Sequence, residues 1–135
     1  MKITFSYVEA GIHPKLGKVF HRRAQAEGSA DSARYNRYVC DVLDAIAQSV
    51  DSCNRLLDCI EKVESGAQRE LKAGGNDVTL TMNLTGVQVD IDAYDDWVGQ
   101  PDGYFQLVEW RKTLEGWRNF IQMPKSLESI VEVIL

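Results

Sequence analysis

Long apolar runs are missing from this chain. No stretch approaches the roughly 18 residues that a membrane-spanning helix needs. Met1 to Ala10 also lacks the charged-then-apolar order of a secretory leader. The expectation is therefore a cytoplasmic protein without a membrane association. Cysteine is scarce: Cys40, Cys53 and Cys59 are an odd number without a CxxC spacing, which argues against a disulfide framework or a zinc knuckle. Free thiols fit a reducing compartment. Histidine is scarcer, with only His13 and His21, and neither belongs to an HExxH or other metal spacing. No serine sits in a GxSxG elbow, and no glycine-rich loop is followed by the lysine that would cradle phosphate. The composition thus offers little to an enzyme and calls for no cofactor or metal.

The most informative absence is of bases. Residues 73 to 110 contain no Lys, Arg or His, yet they hold Asp77, Asp90, Asp92, Asp95, Asp96, Asp102 and Glu109. That segment carries −7, leaving +2 for the rest of a chain whose net charge is −5. Bases gather instead near the N-terminus, at Lys2, Lys15, Lys18, Arg22, Arg23, Arg34 and Arg37. Such a sign asymmetry bears on partners. A nucleic-acid binder neutralises phosphates with clustered bases, and the acidic middle of this chain opposes that, so no nucleic-acid partner is expected.

What is present reads as a globular chain of 135 residues, 44% hydrophobic and 26% charged, the size of one ordinary domain spanning 1–135. Ile3, Phe5 and Tyr7 alternate with polar neighbours, as a half-buried strand does. His13-Pro14-Lys15-Leu16-Gly17 carries turn chemistry, and Lys18-Val19-Phe20 is the returning strand. Residues 24–32 read as a loop, with Asp31 or Ser32 as a helix N-cap. From Ala33 to about Ser65, Val39, Val42, Leu43, Ile46, Val50, Cys53, Leu57 and Ile60 recur at steps of three and four. They form one apolar stripe, which favours a single long helix ended by Gly66, with a break near Asp51-Ser52 as the alternative. Arg37–Asp41, Asp51–Arg55 and Asp58–Lys62 are spaced to pair on its outer face.

After a turn at Gly74-Gly75-Asn76, Val78, Leu80, Met82 and Leu84 alternate with polar residues. Val87, Val89 and Ile91 do the same beyond Thr85-Gly86, a hairpin signal. Asp90 and Asp92 then point together, away from the core. Residues 94–103 read as a loop by their Asp, Gly and Pro content. Leu107, Trp110, Leu114, Trp117 and Ile121 predict a second amphipathic helix, with Asp102 or a neighbour near its start and Pro124 beyond its end. Ile130 to Leu135 favours a last strand, with a short helix from Ser126 as the alternative. The order ββ-α-ββ-α-β predicts an α+β fold: one antiparallel sheet of two hairpins plus the C-terminal strand, with both helices on one face.

Candidate chemistry is thin. Cys53 falls on the apolar stripe, where cysteine behaves as a small hydrophobe, and Cys59 falls off it. Adjacent loop aspartates such as Asp95 and Asp96 usually diverge and stay solvated, so paired acid–base work is a weak reading. Trp110 and Trp117 keep helical apolar spacing and read as core. Trp97 sits in the polar loop beside Asp95 and Asp96, with Tyr94 beyond them. Such a ring is either tucked back onto the core or offered to a partner. Exposed Trp and Tyr anchor interfaces, and neighbouring carboxylates pair with bases of a partner. The candidate partner-binding residues are Asp90, Asp92, Tyr94, Asp95, Asp96, Trp97 and Asp102.

The segments Gly75-Asn76-Asp77-Val78-Thr79-Leu80-Thr81-Met82 and Val87-Gln88-Val89-Asp90-Ile91, followed by Leu107 and then Leu114-Glu115-Gly116-Trp117-Arg118-Asn119-Phe120-Ile121, resemble small bacterial immunity proteins. These neutralise the toxin domains of contact-dependent growth inhibition and related polymorphic toxin systems. The resemblance covers roughly residues 70–124 and rests on apolar spacing around one tryptophan. It implies a cognate toxin domain as protein partner, commonly a nuclease, and no catalysis by this chain. A nuclease grips phosphates with basic residues, which a concentrated acidic patch complements. The alternatives are a small cytoplasmic enzyme using the loop carboxylates or Cys59, and an adaptor or self-associating subunit. Oligomeric state is open.

Overall fold

In the computed structural model, which describes residues 1–135, the expected α+β class is present. The first strand, β1 (Lys2–His13), buries Ile3, Phe5 and Tyr7 and leaves Lys2, Thr4 and Ser6 on its other face. It turns at residues 14–16 into β2 (Gly17–Glu27), antiparallel to it, with a bulge between Glu9 and Gly11. Gly11 takes a φ of 120°, the left-handed region that glycine enters without strain. The strand β2 runs well into the segment read as a loop. There Ala24 and Ala26 supply the small inward side chains that its alternation needs. Asn36 finishes that edge: its side-chain oxygen accepts from the Ala26 N–H at 2.8 Å and its amide donates to the Ala26 carbonyl at 3.2 Å.

The single long helix is overturned. The segment folds instead as α1 (Ser32–Tyr38), a 3-10 turn at Cys40–Val42, a one-turn α2 (Leu43–Ile46) and α3 (Val50–Glu64). The break lies at residues 47–49, and its causes are tertiary. The Ala47 carbonyl accepts from the buried Trp117 indole N–H at 2.8 Å, and the Gln48 carbonyl accepts from Arg22 at 2.9 Å. Two acceptors that a continuous helix would use internally are thus satisfied from outside. Ser49 then starts α3 afresh, its hydroxyl accepting from the Ser52 N–H at 3.1 Å. Of the three expected i,i+4 pairs, Asp58–Lys62 closes at 3.0 Å. The other two do not form: Arg37 lies over Trp97, and Arg55 reaches Ser52.

A strand without sequence warning follows. In β3 (Glu70–Gly75), Leu71 and Ala73 pair opposite Met82 and Leu80 of β4 (Val78–Asn83). The connecting turn is Asn76-Asp77, both at positive φ, one step later than expected. Leu84-Thr85 leads to β5 (Gly86–Ile91), and Asn83 braces that turn by accepting from the Thr85 and Gly86 N–H groups. A two-residue β6 (Tyr104–Phe105) pairs with Val87 and Gln88 of β5. Then comes α4 (Leu107–Ile121). Its start is set by Gln106 and Glu109 in a capping box, not by Asp102. The chain closes with β7 (Ile130–Ile134), a strand as favoured, antiparallel to β1.

Two sheets result where one was expected, ordered β2-β1-β7 and β3-β4-β5-β6. The helix α4 explains the division. Its buried residues Leu107, Trp110, Thr113, Leu114, Gly116, Trp117 and Phe120 occupy about half of its circumference at roughly 100° per residue, wider than a one-sided stripe. It is therefore covered by β1 and β7 on the first sheet and by α3 and β5 toward the second. Gly116 permits the first approach, because a Cβ there would stand 2.4 Å from the Val133 side chain. No helix is long and apolar enough to cross a membrane.

Candidate partner-binding surface

The base-free segment is organised along β5. On that strand Val87 and Val89 face the core, while Gln88 and Asp90 face outward and are half-buried. Both outward side chains hold the following loop. The Gln88 amide donates to the Gln100 carbonyl at 2.9 Å, and an Asp90 carboxylate oxygen accepts from the Gly99 N–H at 2.7 Å. Asp92 accepts from the Thr79 hydroxyl at 2.6 Å, and its N–H donates to the Asp77 carbonyl at 2.7 Å. The loop 92–103 is thereby laid back over the outward face of the second sheet, stiffened by 3-10 turns at Asp95–Trp97 and Pro101–Gly103.

Two arginines from α1 pin the loop from the other side. The Arg37 guanidinium lies 4.6 Å from the Trp97 ring centre. Arg34 donates to the carbonyls of Asp102 and Tyr104 at 3.2 and 3.1 Å, and stacks on the rings of Tyr35 and Phe105 at 4.7 and 4.6 Å. Arg34 engages rings and backbone oxygens and Arg37 a ring, and neither pairs with a carboxylate of the segment; the one acid that Arg34 meets is Asp31 of its own helix start, at 3.9 Å. The six ion pairs of the molecule involve none of the seven acids of the segment. Lys72, just outside the segment, shares a shallow groove with Asp77 and Asp92.

The seven sequence-predicted residues therefore divide by role. Asp92, Tyr94, Asp95, Asp96 and Asp102 are exposed, with Tyr94 at 57%. Asp90 does structural work as the acceptor for Gly99. Trp97 takes the tucked alternative: it is half-buried against the core cluster, with Tyr94 4.5 Å from its ring centre on one side and Arg37 stacked over it. Glu109 leaves the acidic surface altogether. It accepts from the Tyr35 hydroxyl and from the Gln106 N–H at 3.0 Å. Arg34 and Arg37 were missed by sequence reasoning. Their spacing marks them as helix-face charges, and nothing local shows that the loop folds back onto them.

Compared with known proteins, the chain matches no family model, no curated protein and no solved structure.

Two buried thiols are held neutral. Burial pushes the Cys40 thiol up to about 12, and the Cys53 thiol upward as well. No group of three or more His, Cys, Asp or Glu side chains is gathered as a metal site. What the surface offers chemically is a set of solvated carboxylates around one exposed tyrosine. Such a set attracts and orients a cationic protein face.

Proposed function

We propose that this chain is an immunity protein that binds and neutralises a cognate toxin domain, a nuclease, in the bacterial cytoplasm. Binding is by surface complementarity and involves no catalysis. The contact residues are Asp92, Tyr94, Asp95, Asp96 and Asp102, with Asp90 and Trp97 holding the loop that presents them. One observation carries the reading: acids concentrated in a single base-free segment stay free of internal ion pairs on one anchored loop and strand face. Left unpaired, they keep their charge available to a basic cleft, which speeds encounter and selects against acidic partners. Tyr94 supplies an aromatic anchor beside them.

A neighbouring gene should encode a large secreted protein with a toxic C-terminal domain, and the test is co-expression with that domain. Wild type should restore growth and form a complex that salt weakens. Reversal of Asp95 and Asp96 to lysine should lower affinity at least about tenfold, mostly through a slower association rate, since like charges across an interface cost several kcal/mol. Equal affinity and equal salt dependence in the reversed variant would rule out this contact surface.

A further inference from the structure

A second site lies at the rim of the first sheet, where the core face runs out from under the helices. In register, Tyr7 of β1 stands opposite Arg22 of β2, and Glu9 opposite Phe20. Beyond Tyr7 the sheet is no longer covered, and a cleft of about 260 Å³ opens between Tyr7, Phe20, His21, Arg22, Asp44 and Lys125. A second lobe of about 310 Å³ continues from it along Leu16, Lys18 and Val19, sharing Phe20 and Lys125. One lobe is polar and basic, and the other is flanked by apolar side chains.

Tyr7 is the diagnostic residue. It is only 4% exposed, and its ring packs 4.7 Å from that of Phe120. Its hydroxyl is neither paired within the protein nor sealed in the core, so the tip of a buried side chain is aimed into the cleft. A buried polar group is ordinarily bonded, and here the open direction is the cleft. Two cations line the same cleft. Arg22 uses one of its five N–H donors on the Gln48 carbonyl. The Lys125 ammonium is in no ion pair. Asp44 lies 3.9 Å from Arg22 and is the one acid lining the cleft.

We propose that this cleft binds a phosphate monoester carried on an apolar body. The tyrosine hydroxyl, the guanidinium and the ammonium are donors, whereas Asp44 beside them is an acceptor; a carboxylate ligand offers acceptors alone, but a phosphate monoester monoanion offers acceptors and one P–OH donor. With Asp44 counted against Arg22 and Lys125, the lining carries +1, which balances a phosphate monoester monoanion. Asp44 accepts from the ester's remaining P–OH when the monoanion is bound. The apolar body extends over Phe20 toward Val19 and Leu16. This site is independent of the acidic surface and of any toxin partner.

Phenyl phosphate is the probe, titrated against the ¹⁵N-labelled protein with inorganic phosphate and benzoate as comparisons. Saturable amide shifts at Tyr7, Arg22 and Asp44 are expected, with phenyl phosphate tightest and benzoate weakest. K125Q should weaken phenyl phosphate about tenfold, the loss of one charge-assisted bond, and Y7F about threefold with the ring packing kept. Lys125 is exposed, so K125Q decides the matter even if Y7F alters the core. Shifts that stay linear to tens of millimolar, or that K125Q leaves unchanged, would overturn the site. Benzoate binding as tightly as phenyl phosphate would overturn the phosphate assignment.

Discussion

Two tryptophans in this molecule each lie against an arginine, and they do opposite work. Trp117 is 1% exposed. Its ring sits 5.1 Å from Phe5 and 5.5 Å from Phe120, Arg22 lies 5.9 Å away, and its indole donates to Ala47 at the break between α2 and α3. Trp97 sits half-buried on the outside of the second sheet, with Arg37 over one face and Tyr94 beside it. The residue pair is the same, but the surroundings decide its role. Where water is excluded, the Trp117 ring holds the helices, the first sheet and the break together, with the partly exposed Arg22 beside it. At the surface the pair holds one loop in place.

The sharpest way to break the comparison is to delete the inner ring. Trp117→Ala should cost about 3–5 kcal/mol, the range for a large aromatic lost from a packed core, because it leaves a cavity and an unpaired Ala47 carbonyl. Urea denaturation reads this as a lower midpoint at an unchanged slope. A loss below ~1 kcal/mol would show that the break at residues 47–49 does not depend on the indole.

The seam between the two regions is α1, and alkali should open it. Burial, together with the Glu109 carboxylate to which it donates, pushes the Tyr35 hydroxyl up to about 12, and burial does the same to the Cys40 thiol. Both folded-state values lie above those of the unfolded chain, so folding favours the neutral forms. Their contribution is fully present below pH 9 and is lost as pH rises through 12. Each group lowers the unfolding free energy by about 1.4 kcal/mol for every pH unit in which it is ionised in the unfolded chain and neutral in the folded one. Unfolding free energy followed from pH 8 to 12 should fall through this window, and the fall should be shallower in Tyr35→Phe. A flat profile would contradict the burial of both groups.

The smallest expected effect belongs to the outer pair. Arg37→Ala should cost only about 0.5–1 kcal/mol, the range for an exposed cation over a ring. It should nevertheless speed amide hydrogen exchange at Trp97 and Val98, whose N–H groups bond within the turn. Global stability lost without faster local exchange would place Arg37 in the core instead of at the loop.

The readable and unreadable parts of the fold separate along the same line. Apolar alternation in β1, β4 and β5 and the helical spacing of Trp110, Leu114 and Trp117 were visible, because burial on one face imposes a period on the chain. The strand β3 was not. Glu70, Lys72, Gly74 and Gly75 have weak strand preference, and the segment is recruited by pairing with β4. The split into two sheets was hidden because Thr113 and Gly116 do not look like core, although both are buried. The outward direction of Asp90 and Asp92 was legible from alternation, whereas the inward turn of Glu109 depended on Tyr35, distant in sequence.

By itself, the amino-acid order determined the α+β class, the hairpins, the C-terminal strand and the gathering of negative charge into one stretch. Each follows from local period or local composition. Tertiary structure alone decided where the long apolar stripe breaks, how the strands sort into sheets, and that Arg34 and Arg37 hold the loop by its rings and carbonyls. Those outcomes are competitions for backbone acceptors and aromatic faces between residues far apart along the chain. Their winners emerge only when the partners meet in space.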